Sequence, residues 1–485
     1  VESAGNLRLL FSAKRARLIA GRDIVALGVR LQHVAAGDIT TIKAGRDIIY
    51  PLSRSSDGQF NPSAREITVG GPGELQLIAG RDIDLQTSRG VTTEGNLRNP
   101  ALPSAGANVS LTAGEAGGAP DFDGFIAQFL QASTTYDGLL FDYLKRFDST
   151  VSADKTAAIA RFRTLTRDQQ RPLLETVLLR AVRTAGRAAA VSPTSDFTEA
   201  YRALTTYFPG SNPEVTAGQV NPYQGAVKLY FSRVYTLAGG DVRLLSPGGG
   251  INAGLAAPPT AYGIKKPASQ LGVVVQGTGS VLALGYGDFQ VNESRVIAGN
   301  GGDILVWSTR GDIDAGRGAK TAISAPPPII TIDETGQPKV VYPAAFNGSG
   351  IQTLATTPGV KPGNVDLFAP RGVVNAGDAG IVAGNLTIAA TAVLGASNIS
   401  VSGTAVGVPV DTGGLGASLA GASNSAAGAS KSGGDLAGQE GNSNRQSANN
   451  QAEAALNFLD VAVVGLGEDV CRPDDLVCLK NQKRN

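Results

Sequence analysis

Apolar and polar positions alternate in short runs along most of this chain, and the runs recur as a unit. Four copies of fourteen residues align without gaps, at Asp82–Gly95, Asp241–Gly254, Asp303–Gly316 and Asn364–Gly377. Their second and fourth positions are always aliphatic: Ile83/Leu85, Val242/Leu244, Ile304/Val306 and Val365/Leu367. Alternation of this kind turns one set of side chains to the inner face of a strand. The ninth and fourteenth positions are always Gly, which suits sharp corners between strands. The twelfth holds Thr93, Asn252, Asp314 or Asn375, a structural turn column whose side chains hydrogen-bond along a stack. A shorter string, Ala-Gly-Arg-Asp-Ile, stands at Ala20–Ile24, Ala44–Ile48 and Ala79–Ile83. One such turn is too thin to bury its own face, so the pattern predicts stacked coils.

The spacing refines this. The last three copies begin at residues 241, 303 and 364, which suggests three rungs of roughly 20 residues between each pair. The first two begin much further apart, at 82 and 241, and a block without the alternation, residues 119–210, lies between them. There Phe122, Phe125, Ile126, Phe129 and Leu130 follow a helical period, as do Leu173, Leu174, Val177 and Leu178. Thr166 with Gln169 and Asp196 with Glu199 have the spacing of capping boxes. Four or five short helices are expected, inserted into one coil and folded over its side.

The expected fold is therefore all-β: a right-handed parallel β-helix (solenoid) with an inserted α-helical subdomain and a disordered C-terminal linker. Residues 1–118 and 211–402 form its two β-helical parts, around the helical insertion at 119–210. Residues 403–450 are rich in Gly, Ser, Ala and Asn and read as a flexible linker. Residues 451–485 form a tail in which Leu456–Gly465 has strand character.

Composition agrees with turn-rich β structure: 63 Gly and 17% charged residues in 485. The formal net charge of +1 gives no bulk attraction to nucleic acid, and no apolar run is long enough for a membrane-spanning helix. The opening residues lack the pattern of a signal peptide and read as the interior of a longer protein. Two cysteines, Cys471 and Cys478, stand near the C-terminus. They read as a small disulfide loop in an oxidising compartment or as two free thiols. His33 is the only histidine, too few for a zinc site with this pair.

Several segments carry a family resemblance: Tyr235–Asp241, Gly301–Ser308, Gly311–Thr321 with Pro326–Pro328, and Val374–Ile381. They resemble the C-terminal part of filamentous-haemagglutinin-family exoproteins of Gram-negative bacteria, over residues 1–402 and the tail. The resemblance implies two-partner secretion through an outer-membrane β-barrel transporter. It also implies a cell-surface adhesin that forms a structural rod, attaches to cells or surfaces and carries out no catalysis. In some such adhesins a C-terminal cysteine pair forms a loop that tethers the protein, an arrangement Cys471 and Cys478 resemble. The family's N-terminal secretion domain has no counterpart here.

The candidate chemistry is sparse. Asp312 and Asp314 would share a strand face, as in a β-helical polysaccharide-active enzyme, but Asp314 falls in the turn column. His33 lies in an ordinary repeat stretch and does not suit a Ser-His-Asp triad. Trp307 and Phe368, in the column of Leu245, are candidate ligand contacts for sugar rings; the alternative is a packing layer beneath the helical block. Arg180, Arg183 and Arg187 form one basic helix face, suited to an acidic host or cell-surface glycan or receptor, or simply to solvent. No cofactor or metal is expected. A third reading makes the chain a surface-anchoring segment that contacts the secretion partner.

Overall fold

The computed structural model describes residues 9–409, apart from 55–59, 62–64, 97–98, 100, 152–153, 193–195, 212–219, 256–265, 267, 322, 325–328, 334 and 343–344. The cysteine pair, Pro326–Pro328, the tail and nearly all of the linker lie outside the described residues. Within them the alternating runs form a parallel β-helix of ten coils. Each coil lays one strand on a first face, such as Gly28–Gln32, and one on a second, such as Ile39–Ala44. Down to the seventh coil, a two-residue strand such as Ile48–Ile49 makes the third face. In coils eight and nine, Asn364–Asn375 and Asn385–Leu394 run through the corner and serve both later faces, with a register shift between Ala369 and Val373. Every pairing between coils is parallel.

Inward side chains form unbroken aliphatic stacks. On the second face Ile42, Leu77, Leu111 and Leu244 pair in register, and all four are fully buried. Ala283, Val306 and Leu367 continue the same row. No coil could bury these residues alone, so each depends on its neighbours for its core.

Coil length varies far more than the repeat spacing suggested. Equivalent positions on successive coils lie 24, 35, 34, 133, 39, 23, 61, 21 and 19 residues apart. The interval from 241 to 303 holds two coils and that from 303 to 364 only one. The single long coil carries two antiparallel hairpins, Ile323–Ser324 with Phe346–Asn347 and Ile329–Ile332 with Pro338–Val341. Surface excursions lengthen a coil without disturbing its stacking, so equal spacing does not mean equal rung count.

The first fourteen-residue copy is also displaced. Ile83 pairs with Ile48 and Val227 on the third face, whereas Val242, Ile304 and Val365 stand on the second. Both faces need the same aliphatic alternation, so the pattern does not tell them apart.

The coil with 133 residues contains the helical block. It leaves the fourth coil between Asn108–Thr112 on the second face and Val227–Lys228 on the third. Its helices are α1 (Phe122–Phe125), a π-helical turn at Ile126–Gln131, α2 (Asp137–Leu144), α3 (Lys155–Arg163), α4 (Arg167–Val191) and α5 (Thr198–Tyr207). Thr166 and Gln169 form a reciprocal capping box at the start of α4. Asp196 does not cap in that way: Phe197 takes the cap position, and Asp196 Oδ1 accepts from the Thr198 N–H at 3.0 Å. No described helix is long and apolar enough to cross a membrane.

Candidate functional site

The second face meets the helical block through its outward side chains. Register sets them in two rows. One runs Arg17, Thr41, Gln76, Ser110, Arg243, Leu282, Leu305, Asp366, Thr387. The other runs Ile19, Lys43, Ile78, Thr112, Leu245, Leu284, Trp307, Phe368, Ala389. Helix α4 lies across them. Its 25 residues extend about 37 Å at 1.5 Å each, and coils repeat about every 4.8 Å. One helix therefore reaches across about eight steps between coils, from Arg17 on the first coil, whose Nε lies 2.7 Å from Asp168 Oδ2, to the strand Asn385–Leu394 on the ninth.

The lower end of the contact is polar. Pro172 has no N–H and leaves the Asp168 carbonyl without its helical donor. Gln76 Nε2 donates to that carbonyl at 2.7 Å, so a coil side chain completes the helix. Above it, Arg243 Nη2 lies 2.6 Å from Glu74 Oε2 and its Nε 3.2 Å from Glu175 Oε2. Arg171 Nη1 lies 2.6 Å from Glu115 Oε1 and 3.5 Å from Glu175 Oε1. Ser110 Oγ donates to Glu175 at 2.8 Å and Asn108 Nδ2 to Glu74 at 2.7 Å. All five charged groups are buried. Burial alone would lower the pKa of Arg243 and Arg171; the facing carboxylates more than reverse this and hold both above the ordinary arginine value.

The upper end is apolar with an ionic rim. Trp307 is fully buried, edge-on to Phe197 and Tyr201 with ring centroids at 5.6 and 5.8 Å. Its indole Nε1 donates to Thr309 Oγ1 at 3.0 Å. Phe368 is equally buried and packs on α4 at Gly186, where a methyl group would come within 2.3 Å of its ring. Arg183 Nη1 lies 3.0 Å from Asp303 Oδ2, and Arg187 makes two 2.8 Å hydrogen bonds to Asp366.

The structure places Trp307, Phe368, Arg183 and Arg187 in the contact between coil and helices. Trp307 and Phe368 are a packing layer under the helices, with no surface left for a sugar ring. Arg183 and Arg187 are engaged with the coil through Asp303 and Asp366, and Arg187 stays exposed on its outer side, as Arg180 does. Sequence reading missed Glu74, Glu175 and Arg243. Arg243 meets Glu175 and Glu74 only across 68 and 169 positions of sequence, which leaves no local mark of the cluster.

The turn column divides in the same way. Asn252, Asp314 and Asn375 stack on the third face, with Gln290 between the first two. Each accepts the N–H two residues on, at Gly254, Gly316 and Gly377, at 2.8–3.0 Å. Gly316 and Gly377 have φ of +89° and +56°, and a Cβ on Gly377 would meet Gly316 O at 2.1 Å, so the corner admits only glycine. Thr93 belongs elsewhere: it pairs with Val69 and Thr236 on the first face.

Asp312 accepts the Val373 N–H of the next coil at 2.8 Å, one rung of an aspartate ladder. Asp23 binds Arg46 and the Asp47 N–H, Asp47 binds Arg81 and the Asp82 N–H, and Asp288 binds the Asp312 N–H. Arg46 holds the Asp23 carboxyl down at about 2. The Ala-Gly-Arg-Asp string is thus an inter-coil clamp. Asp312 and Asp314 both serve as backbone acceptors at the corners of the coil. His33 is buried, with Nδ1 2.7 Å from Pro72 O and Nε2 2.7 Å from Thr40 Oγ1, a corner fastening. Among the described residues no three His, Cys, Asp or Glu side chains are grouped to hold a metal ion.

Residues 301–410 match a family model described as "Filamentous haemagglutinin family outer membrane protein". This span holds the seventh to tenth coils of the second face, where Trp307, Phe368 and Asp366 receive α4. No curated protein and no solved structure matches the chain.

Proposed function

We propose that this chain is a stiff shaft segment of a surface-exported adhesin, acting by display and attachment without turnover. The observation that carries the reading is the uninterrupted stack of ten coils whose last part matches the haemagglutinin family model. Inward aliphatic rows, aspartate ladders and a helix laid across most of the coils all resist bending. Asp312 and Asp314, the pair considered for a polysaccharide enzyme, accept backbone N–H groups at coil corners, which supports the reading. Export through an outer-membrane barrel fits this architecture, since a coil that stacks on its predecessor assembles as it emerges.

Binding of fluorescent chain to epithelial cells and to a glycan array, beside a reducing-end assay on the same glycans, tests the proposal. Saturable binding without new reducing ends is expected. Cleavage of any bound glycan would overturn it. A pull-down with the outer-membrane barrel, with and without residues 403–485, addresses anchoring: tail-dependent capture would make this segment a tether.

A further inference from the structure

The buried arginines of this molecule obey one rule, and Arg295 breaks it. Arg171 and Arg243 each face two carboxylates within 3.5 Å, as does the half-buried Arg183. Arg295, on the first face of the seventh coil, is 2% exposed, yet among the described residues its Nε and Nη1 have no hydrogen-bond partner. Burial is left to depress its pKa, opposed only by Tyr235.

Register shows what is missing. The row through Arg295 runs Glu66, Gly90, Arg233, Gly272, Arg295, Gly350. Arg233 reaches back two coils to Glu66, with Nη2 3.3 Å from Oε1. Two coils before Arg295 stands Arg233 itself, and the next coil offers only Gly350. The adjacent Glu293 is exposed, and the sequence stretches 256–265 and 322–328 contain no acid. Ser294 adds a further donor: its Oγ is buried and also lacks a partner. Ser294 Oγ and Arg295 Cγ each lie 2.8 Å from the point where a Gly272 side chain would begin, so the glycine makes room for both. Buried donors on a charged group without an acceptor are unfavourable, and a small anion would offset that cost.

We propose that Arg295 and Ser294 hold a small oxyanion, of the sulfate, phosphate or carboxylate class, against the first face of the coil. It would accept from Arg295 Nε and Nη1 and from Ser294 Oγ, and do for Arg295 what Glu66 does for Arg233.

Equilibrium dialysis of the full chain against radiolabelled sulfate at fixed ionic strength tests this. The wild type should bind about one sulfate saturably, and Arg295→Met should weaken binding about ten-fold or more. Ser294→Ala should weaken it by a smaller factor. Circular dichroism checks that each variant is folded; if Arg295→Met is not, Ser294→Ala alone decides. Displacement by glucuronate would identify a sugar acid as the source, and displacement by phosphate alone a free ion. No saturable binding to the wild type, or equal binding by the variants (an adventitious ion only), would overturn the proposal. Neither result bears on attachment or barrel capture, so the shaft reading stands or falls separately.

Discussion

The two sides of the second face are built by the same strands and follow opposite rules. Inward, every coil supplies an aliphatic side chain, because the only neighbours are other coils. Outward, the chemistry changes along the stack: Gln76, Ser110 and Arg243 at one end, Leu284, Trp307 and Phe368 at the other. The inward rule repeats; the outward one is written once, to fit one helix. Coil stability is thus a sum of similar increments, whereas attachment of the helical block rests on a few particular residues.

Adjacent residues test this most severely. Arg243 faces out and Leu244 faces in. Arg243→Met leaves Glu74 and Glu175 short of their shared cation and should cost about 3–5 kcal/mol. Leu244→Ala should cost a similar roughly 2–5 kcal/mol through its cavity. The routes should differ. In urea titrations followed by Trp307 emission and by circular dichroism, Arg243→Met should expose the indole before the β signal falls. Leu244→Ala should lose both signals together. Coincident transitions in both variants would erase the distinction between coil and cover.

Gly186 sharpens the comparison at the apolar end. A glycine inside a helix costs about 1 kcal/mol relative to alanine, so Gly186→Ala would stabilise an isolated α4. Against Phe368 the added methyl group has no room, and a net loss of about 1–2 kcal/mol is expected from overpacking set against propensity. Phe368→Leu in the same chain should recover part of it, as a thermal-melt double-mutant cycle would register.

A smaller effect is expected at Gln76. Gln76→Ala removes the donor to the Asp168 carbonyl, a loss of about 1 kcal/mol. In a Pro172→Ala background the helix supplies its own N–H, and the same change should then cost measurably less. Equal losses in the two backgrounds would mean that the Gln76 bond contributes nothing to docking.

Legibility in the sequence follows the same division. The coils could be read because Ile304/Val306 and Val365/Leu367 repeat a local pattern, and α4 because its period and its Thr166–Gln169 cap are local too. Coil count could not be read from spacing, since the 323–347 hairpins and the helical block lengthen coils without adding any. The face of the Asp82–Gly95 copy was ambiguous because two faces share one alternation. At the interface, Trp307 and Phe368 stood out as an aromatic column, but what covers them depends on a helix more than a hundred residues away. The lone glycine at 186 and proline at 172 were the only local marks of that docking.

The smallest expected effect concerns the coil corner at His33. Burial lowers the pKa of His33 below 6.5, against the Pro72 carbonyl and the Asp38 and Glu74 charges, which favour the charged ring; Arg15 adds to the lowering. The folded protein therefore binds fewer protons at this site than the unfolded chain between the folded pKa and 6.5. Stability from this group is present in full above pH 6.5 and declines as pH falls through that window. His33→Gln keeps a polar side chain there without the titration. The stability difference between wild type and this variant should shrink as pH drops from 7 to 5, measured by urea unfolding. Because His33 fastens the coil and not the cover, Gly186→Ala, at the far apolar end of the cover, should leave the slope of that difference unchanged. A slope altered by Gly186→Ala would show that the helical block reaches into the coil's own energetics, and the two sides of the second face would then have to be treated as one cooperative unit.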